Sequence, residues 1–198
     1  MKDKLSELFP NWLTESSHGD ILEKMRLIMV KVKRGPLQSL DKNYRKETEV
    51  KNIRLILESS APLPLGMQSW LLQQFQGVFP NINLELDYRI QGKELDVTQV
   101  LQLVEELQDA RIVESVMEEA QTGSYRIGLE HGLPVRGFLK DARIELNGHK
   151  IQISLSHSAA LLNMCSFSLI FEKLLYKRTG TEYSVQLKTD DRLLKGAL

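Results

Sequence analysis

Asn52-Ile53-Arg54-Leu55-Ile56-Leu57 and Ile82-Asn83-Leu84-Glu85-Leu86-Asp87-Tyr88 bracket an apolar stretch running from Pro64 to Phe79. In the flanking segments Ile53, Leu55 and Leu57, then Ile82, Leu84, Leu86 and Tyr88, alternate with polar partners. Period two gives way to period 3.6 and returns, which reads as strand, helix, strand. The same sentence recurs at His149–Thr189. There Ile151, Ile153 and Leu155 alternate, a helix is expected over Ser158–Thr179, and Tyr183, Val185 and Leu187 alternate after Gly180. Two copies of one unit outweigh any single residue as a guide to the fold.

Working outward, each copy gains a preceding strand. Leu22 to Lys33 reads as a long strand with Ile28, Val30 and Val32 facing inward, ended by Arg34-Gly35-Pro36;. Gln38–Glu49 is polar and reads as an exposed connection. In the second copy Asn147-Gly148 between Ala142-Ile144-Leu146 and Ile151-Ile153-Leu155 is a strong hairpin signal, and a turn at those two residues sets Ile144 opposite Ile151;. The expected fold is therefore α+β: two β-β-α-β units, each a small sheet covered by one long helix. The hairpin strands are expected to be antiparallel, and a helix-length connection lets the last strand run either way.

Before the first unit, Leu5, Leu8, Phe9, Trp12 and Leu13 have helical spacing that Pro10 interrupts;. Between the units lies an acidic helical segment. Asp96 with Gln99 three residues on resembles a capping box, and Val97, Val100, Leu101, Val104 and Leu107 share one face;. Ile112, Val113, Val116, Met117 and Ala120 are out of phase with that face, so two helices or a bend near Gln108–Arg111 are expected. This divides the chain into a first α+β domain at 1–91, an acidic helical connector and irregular segment at 92–140, and the core of a second α+β domain at 141–198.

The 198 residues are 42% hydrophobic and carry no net charge, but the charge is unevenly spread. Lys24–Arg54 holds ten basic and three acidic residues, a surplus of seven; Glu94–Glu119 holds eight acidic and one basic, a deficit of seven. Such polarity steers partners without defining a site. No apolar run reaches the roughly 18 residues of a membrane span. Met1-Lys2-Asp3-Lys4 leads into amphipathic rather than secretory sequence, and the single cysteine forms no internal disulfide;. A cytoplasmic protein is expected.

Residues for chemistry are sparse. His18, His131, His149 and His157 have no ligand spacing with one another or with Cys165, so no metal and no cofactor are expected;. Cys165, between Met164 and Ser166 in an apolar helix, has no neighbouring cation to activate it and reads as structural;. Ser156-His157-Ser158 falls where a helix begins, so its serines read as caps rather than nucleophiles;. Gly128-Leu129-Glu130-His131-Gly132 lacks the Walker pattern. No catalytic residue is expected.

A sheet covered by a helix also suggests K-homology modules, which clamp a nucleic-acid backbone with a Gly-x-x-Gly loop. The chain has no Gly-x-x-Gly. Its basic cluster, Lys31, Lys33, Arg34, Lys42, Arg45 and Lys46, reads as a solvated loop, a surface for an acidic protein partner, or a phosphate-binding surface;. Tyr44 is the only aromatic inside it, so base stacking has little support;.

Leu5-Ser6-Glu7-Leu8-Phe9-Pro10, the charged strands, and Val78-Phe79-Pro80 before Ile82-Asn83-Leu84-Glu85-Leu86 resemble the start of PolC-type DNA polymerase III alpha subunits. Ala142-Arg143-Ile144-Glu145-Leu146 through Leu174-Leu175-Tyr176 to Val185-Gln186-Leu187 resembles the second N-terminal domain of that family. The likeness lies in element order and hydrophobic pattern. It implies a truncated K-homology-like fold, similar in the first domain to the polymerase-contacting domain of the clamp-loader tau subunit. It also implies a non-catalytic, protein-binding role in the bacterial replisome, with tau as a partner. The family's OB-fold, PHP, exonuclease and polymerase parts would follow Leu198, so no catalytic residue carries over. The alternative, on the charge distribution, is a K-homology-like module that binds nucleic acid through the basic patch.

Overall fold

The computed structural model describes residues 3–15, 19–34, 51–80, 82–92, 94–119, 133, 135, 139, 142–155 and 166–190. The fold is α+β, with small mixed sheets packed against helices. The chain forms two compact units, Met1–Gln91 and Gly92–Leu198.

In the first unit a four-stranded sheet has the order β1-β2-β3-β4. Its strands are β1 (Asp3–Lys4), β2 (Arg26–Arg34), β3 (Lys51–Ser59) and β4 (Asn83–Ile90). β1 and β2 pair antiparallel, as do β2 and β3, whereas β3 and β4 are parallel. Three short helices precede β2: α1 (Leu5–Leu8), α2 (Asn11–Glu15) and α3 (Gly19–Lys24). The long helix α4 (Leu65–Val78) forms the crossover between β3 and β4. It starts after Pro64, which presets its own φ at −54° and cannot occupy the interior of the helix that follows;. Pro10 separates α1 from α2, as the interrupted spacing requires.

Register places Ile53, Leu55 and Leu57 beside Leu84, Leu86 and Tyr88 on one face of the sheet. Leu55, Leu57, Leu84 and Tyr88 are buried there, with Leu71 and Phe75 of α4. The Tyr88 hydroxyl accepts a hydrogen bond from the Leu63 N–H at 3.2 Å, so the polar end of a buried ring is satisfied;. Phe75 also anchors an aromatic cluster, meeting Phe9 and Trp12 edge-on at 5.7 and 5.0 Å between centroids. Phe9 stacks on Trp12 at 4.1 Å. Full burial of a side chain such as Phe75 or Leu71 contributes about 1.5–3 kcal/mol;.

Two expectations for this unit are corrected. The expected strand from Leu22 to Lys33 is a helix, α3, as far as Lys24, and a strand only from Arg26. Leu22 and Met25 are buried in that helical turn, which sends their apolar weight into the core beside Leu5. Val30 and Val32 lie across from Leu55 and Ile53, on the core face by register, yet they are 49% and 53% exposed. The physical reason is coverage: α4 packs over β4, and no described element covers the far end of β2.

The second unit has the three-stranded order β5-β6-β7, with β5 (Arg143–Asn147) antiparallel to β6 (Lys150–Leu155) and β7 (Ser184–Thr189) parallel to it. The helical crossover contains α7 (Phe167–Thr179); the earlier part of the expected helix, from Ser158 to Cys165, lies outside the described residues. Both units thus take the parallel option for the last strand. The hairpin turn is at Gly148-His149, with Asn147 paired to Lys150, so Ile144 faces Ile153 and Leu146 faces Ile151. Gly148 has a φ of +58° and His149 does not share a positive φ, matching the turn family that wants glycine first;. The expected Ile144–Ile151 pairing would have set Leu146 against His149; the observed register pairs it with an apolar residue instead.

Helices α5 (Val97–Glu106) and α6 (Ala110–Glu119) belong to this second unit and pack against α7. They cover the additional apolar surface of α7, whose Phe167, Ile170, Phe171, Leu174 and Leu175 are all buried. α5 opens with the expected capping box: Gln99 N–H donates to Asp96 Oδ1 at 2.8 Å and Asp96 N–H donates to Gln99 Oε1 at 3.1 Å. Its buried face is Val100, Leu103, Val104 and Leu107, whereas Val97 and Leu101 are exposed. The expected stripe was therefore rotated by about one position. Leu103 lies on the same side as Val100, Val104 and Leu107, and that side meets α7 and β5.

The bend between α5 and α6 falls where the phase change placed it. Asp109 precedes α6, and its Oδ1 accepts from the Arg111 N–H at 2.9 Å and from Arg111 Nε at 3.0 Å. The hydrogen bonds from Arg111, with its positive charge, hold the Asp109 carboxyl below the usual carboxylate range despite partial burial; the same contact raises the Arg111 pKa. A depressed folded pKa means the stabilisation is complete above the ordinary carboxylate value of about 4 and is lost as pH falls through the folded one. Asp109→Ala is expected to lower stability by about 1 kcal/mol at neutral pH through loss of the cap. Urea unfolding followed by circular dichroism checks this: the gap to the parent protein should shrink as pH falls below the ordinary carboxylate value of about 4 and through the lowered folded one;.

Candidate interaction surface

The basic residues singled out from the sequence divide between strand and connection. Lys31, Lys33 and Arg34 lie on β2, opposite Arg54, Asn52 and Lys51 of β3. Lys42, Arg45 and Lys46 lie outside the described residues, so the six are not shown to form one patch.

Around Lys31 the two faces of the sheet differ in chemistry. On the core face Val30 extends the row Leu55–Leu86, and Val32 extends the row Ile53–Leu84. On the opposite face, Lys31 begins the row Lys31–Arg54–Glu85. Arg54 Nε donates to Glu85 Oε2 at 2.8 Å, so the only carboxylate in that row is engaged by the middle residue. Lys31 is exposed, and the like charge of Arg54 lies directly across from it. Like charges directly opposite across two strands are unfavourable, and Glu85 lies on the far side of Arg54 from Lys31;.

The edge of β2 is also incomplete as a ladder. β1 pairs only with Arg26 and Leu27, and a bulge between Leu27 and Met29 marks where that cover ends. Among the described residues no strand pairs with the outer side of β2 beyond it. Alternate main-chain N–H and C=O groups on such an edge face outward.

Sequence reading marked Lys31, Lys33 and Arg34 but missed Met29, Val30 and Val32 as surface residues. Their alternation with lysines was visible; their exposure depends on where α4 lies, which periodicity does not carry. Of the residues considered for metal or nucleophilic chemistry, His18, His131, His157 and Cys165, with Ser156 and Ser158, lie outside the described residues. His149 is in the β5–β6 turn, with its ring 5.3 Å from that of Tyr183. Among the described residues no three His, Cys, Asp or Glu side chains gather as metal ligands, and no helix is long and apolar enough to cross a membrane. No family model matches the chain, and no curated protein matches it.

Proposed function

We propose that this chain is a non-catalytic, protein-binding region of the kind that begins PolC-type DNA polymerase III alpha subunits. In this reading it works in the cytoplasm, at the nucleoid-associated replisome, with the clamp-loader tau subunit as its partner. The observation that carries the interaction reading is β2, a strand with exposed valines on one face, an exposed lysine on the other and, among the described residues, no strand paired to its outer edge beyond Leu27. Surfaces combining apolar area with unsatisfied main-chain groups are suited to binding another chain. The replisome assignment rests on the order and hydrophobic pattern of the two repeated units.

Isothermal titration of the purified chain with tau tests this reading. Saturable binding, with no polymerase or exonuclease activity in the chain itself, is the expected result. Lack of binding to tau, or metal-dependent turnover that tracks the chain through repurification, would overturn it. Lys31 beside Arg54 favours one second reading, a nucleic-acid surface. That reading requires single-stranded DNA to bind at low salt with a log–log salt slope of about −0.7 per phosphate contact. Changing Lys42, Arg45 and Lys46 together to glutamate should then abolish the binding.

A further inference from the structure

We propose that the outer edge of β2, from Ile28 to Val32, docks an extended segment of a partner protein in which apolar and acidic residues alternate. The inference deepens the interaction reading above, but it does not depend on tau being the partner.

The first ground is the contrast with other outer strands. On β4 the Tyr88 N–H donates to the Asp87 side chain at 2.9 Å. On β7 the Val185 N–H donates to Glu172 Oε1 of α7 at 2.8 Å. Both strands end their sheets, and in both a carboxylate takes up a main-chain donor that an incoming strand would need. Among the described residues, Ile28 to Val32 have no side-chain acceptor of this kind. The bulge at Ile28 and the charge of Lys31 disfavour indiscriminate or self-pairing;. With no side-chain acceptor on its main-chain donors among the described residues, the edge from Met29 to Val32 is a template for addition of a strand that answers that charge.

The second ground is what each face of the edge asks of a newcomer. A strand laid along β2 presents successive residues to opposite faces. On the core face its residues would fall beside Val30 and Val32, which are about half exposed and continue apolar rows. On the other face its residue would fall beside Lys31, the cationic end of the Lys31–Arg54–Glu85 row. An acidic residue there gives that row a carboxylate at both ends. Apolar and acidic residues in alternation meet both demands in one register.

The same chemistry argues against other occupants. A second copy pairing antiparallel about Lys31 would set lysine against lysine, which is destabilising. A phosphate backbone could meet Lys31 but offers no ladder to the strand's main-chain groups and no apolar side to Val30 and Val32.

The test uses the full chain and a fluorescein-labelled peptide of roughly ten residues, about twice a typical strand length, alternating valine and glutamate. A valine–lysine counterpart and a glutamate peptide with its valines grouped at one end serve as comparisons. Fluorescence anisotropy is expected to show preference for the alternating glutamate peptide, and its binding should slow hydrogen exchange at β2. Lys31→Glu should weaken that peptide by roughly five- to tenfold and strengthen the valine–lysine peptide. Circular dichroism checks that the variant is folded; Lys31→Gln, which removes the charge without reversing it, should fall between. Equal binding of alternating and grouped peptides would overturn the proposal, as would loss of no affinity in Lys31→Glu. Oligothymidylate bound in place of peptide, or a dimer that Lys31→Gln strengthens by removing the like charges, would overturn it in favour of nucleic acid or a second copy. Failure with tau but success here would leave docking intact and remove only the replisome partner.

Discussion

Arg178→Met is expected to destabilise the second unit by about 3–5 kcal/mol, enough to unfold a domain of ordinary stability. Arg178 sits in the last turn of α7, and Glu106 is the last residue of α5. Nε and Nη2 of Arg178 donate to Glu106 Oε2 at 3.1 and 2.8 Å, with the two side chains only 3% and 2% exposed. Two ions this deep have surrendered their hydration, so removing one leaves its partner with a desolvation penalty that this contact no longer offsets. Glu106→Leu should be similarly damaging for the same reason. The double change Glu106→Leu with Arg178→Met is expected to recover most of the loss, because an apolar pair of similar bulk needs no hydration. Urea unfolding of the two single variants and the double variant forms a cycle that isolates the coupling. Additive losses in the double variant would show that packing around each residue, rather than the pair, sets the cost.

Phe75→Ala and Phe171→Ala are each expected to remove about 3–5 kcal/mol from the unit that holds them. Phe75 is the meeting point of Phe9 and Trp12 against α4, so its loss opens a cavity among rings that cannot all close over it. Phe171 lies fully buried in α7, 5.6 Å from the ring of Phe167. The two tryptophans of the chain, Trp12 and Trp70, are both in the first unit and 5.9 Å apart. Tryptophan fluorescence therefore follows that unit, while far-ultraviolet circular dichroism follows both. Phe75→Ala should bring the fluorescence transition to lower denaturant. Phe171→Ala should split the two signals, with the dichroism falling early and the fluorescence transition in place. Coincident early transitions for Phe171→Ala would mean that the units unfold as one.

The elements most legible in the sequence are those whose pattern is local. The alternation at Ile53–Leu57 and Ile151–Leu155, the apolar helix after Pro64, and the Asp96–Gln99 cap each depend on neighbours within a few residues, and each is found. What was misread depends on packing at a distance. Leu22 joined α3 because its buried position belongs to a helical turn next to the strand. Leu101 lost its expected place to Leu103 because α7 and β5 decide which side of α5 is covered. The Gly148-His149 turn displaced Asn147-Gly148 because Leu146 gains Ile151 as a neighbour. On the interaction surface, Lys31 was legible as charge, but the exposure of Val30 and Val32 was not, since an alternating strand looks the same whether or not a helix lies over it. The Glu106–Arg178 pair, 72 residues apart, had no signal in either local sequence.

The unequal connections in the two antiparallel pairs bear on the order in which the sheets assemble. β5 and β6 are joined by two residues, Gly148 and His149, whereas residues 35–50 separate β2 from β3. From two residues to sixteen is three doublings of loop length, or roughly 2 kcal/mol of additional closure entropy. Fewer chain conformations are thus lost in registering Leu146 with Ile151 than in registering Val30 with Leu55. The second sheet can nucleate from a contact that forms early, on the microsecond scale of hairpins. The first has no connection so short, since residues 35–50 separate β2 from β3 and residues 60–82, with α4, separate β3 from β4. During refolding the first sheet is then expected to register after the second unit's hairpin, so the valines of β2 stay open to solvent for the longer interval;.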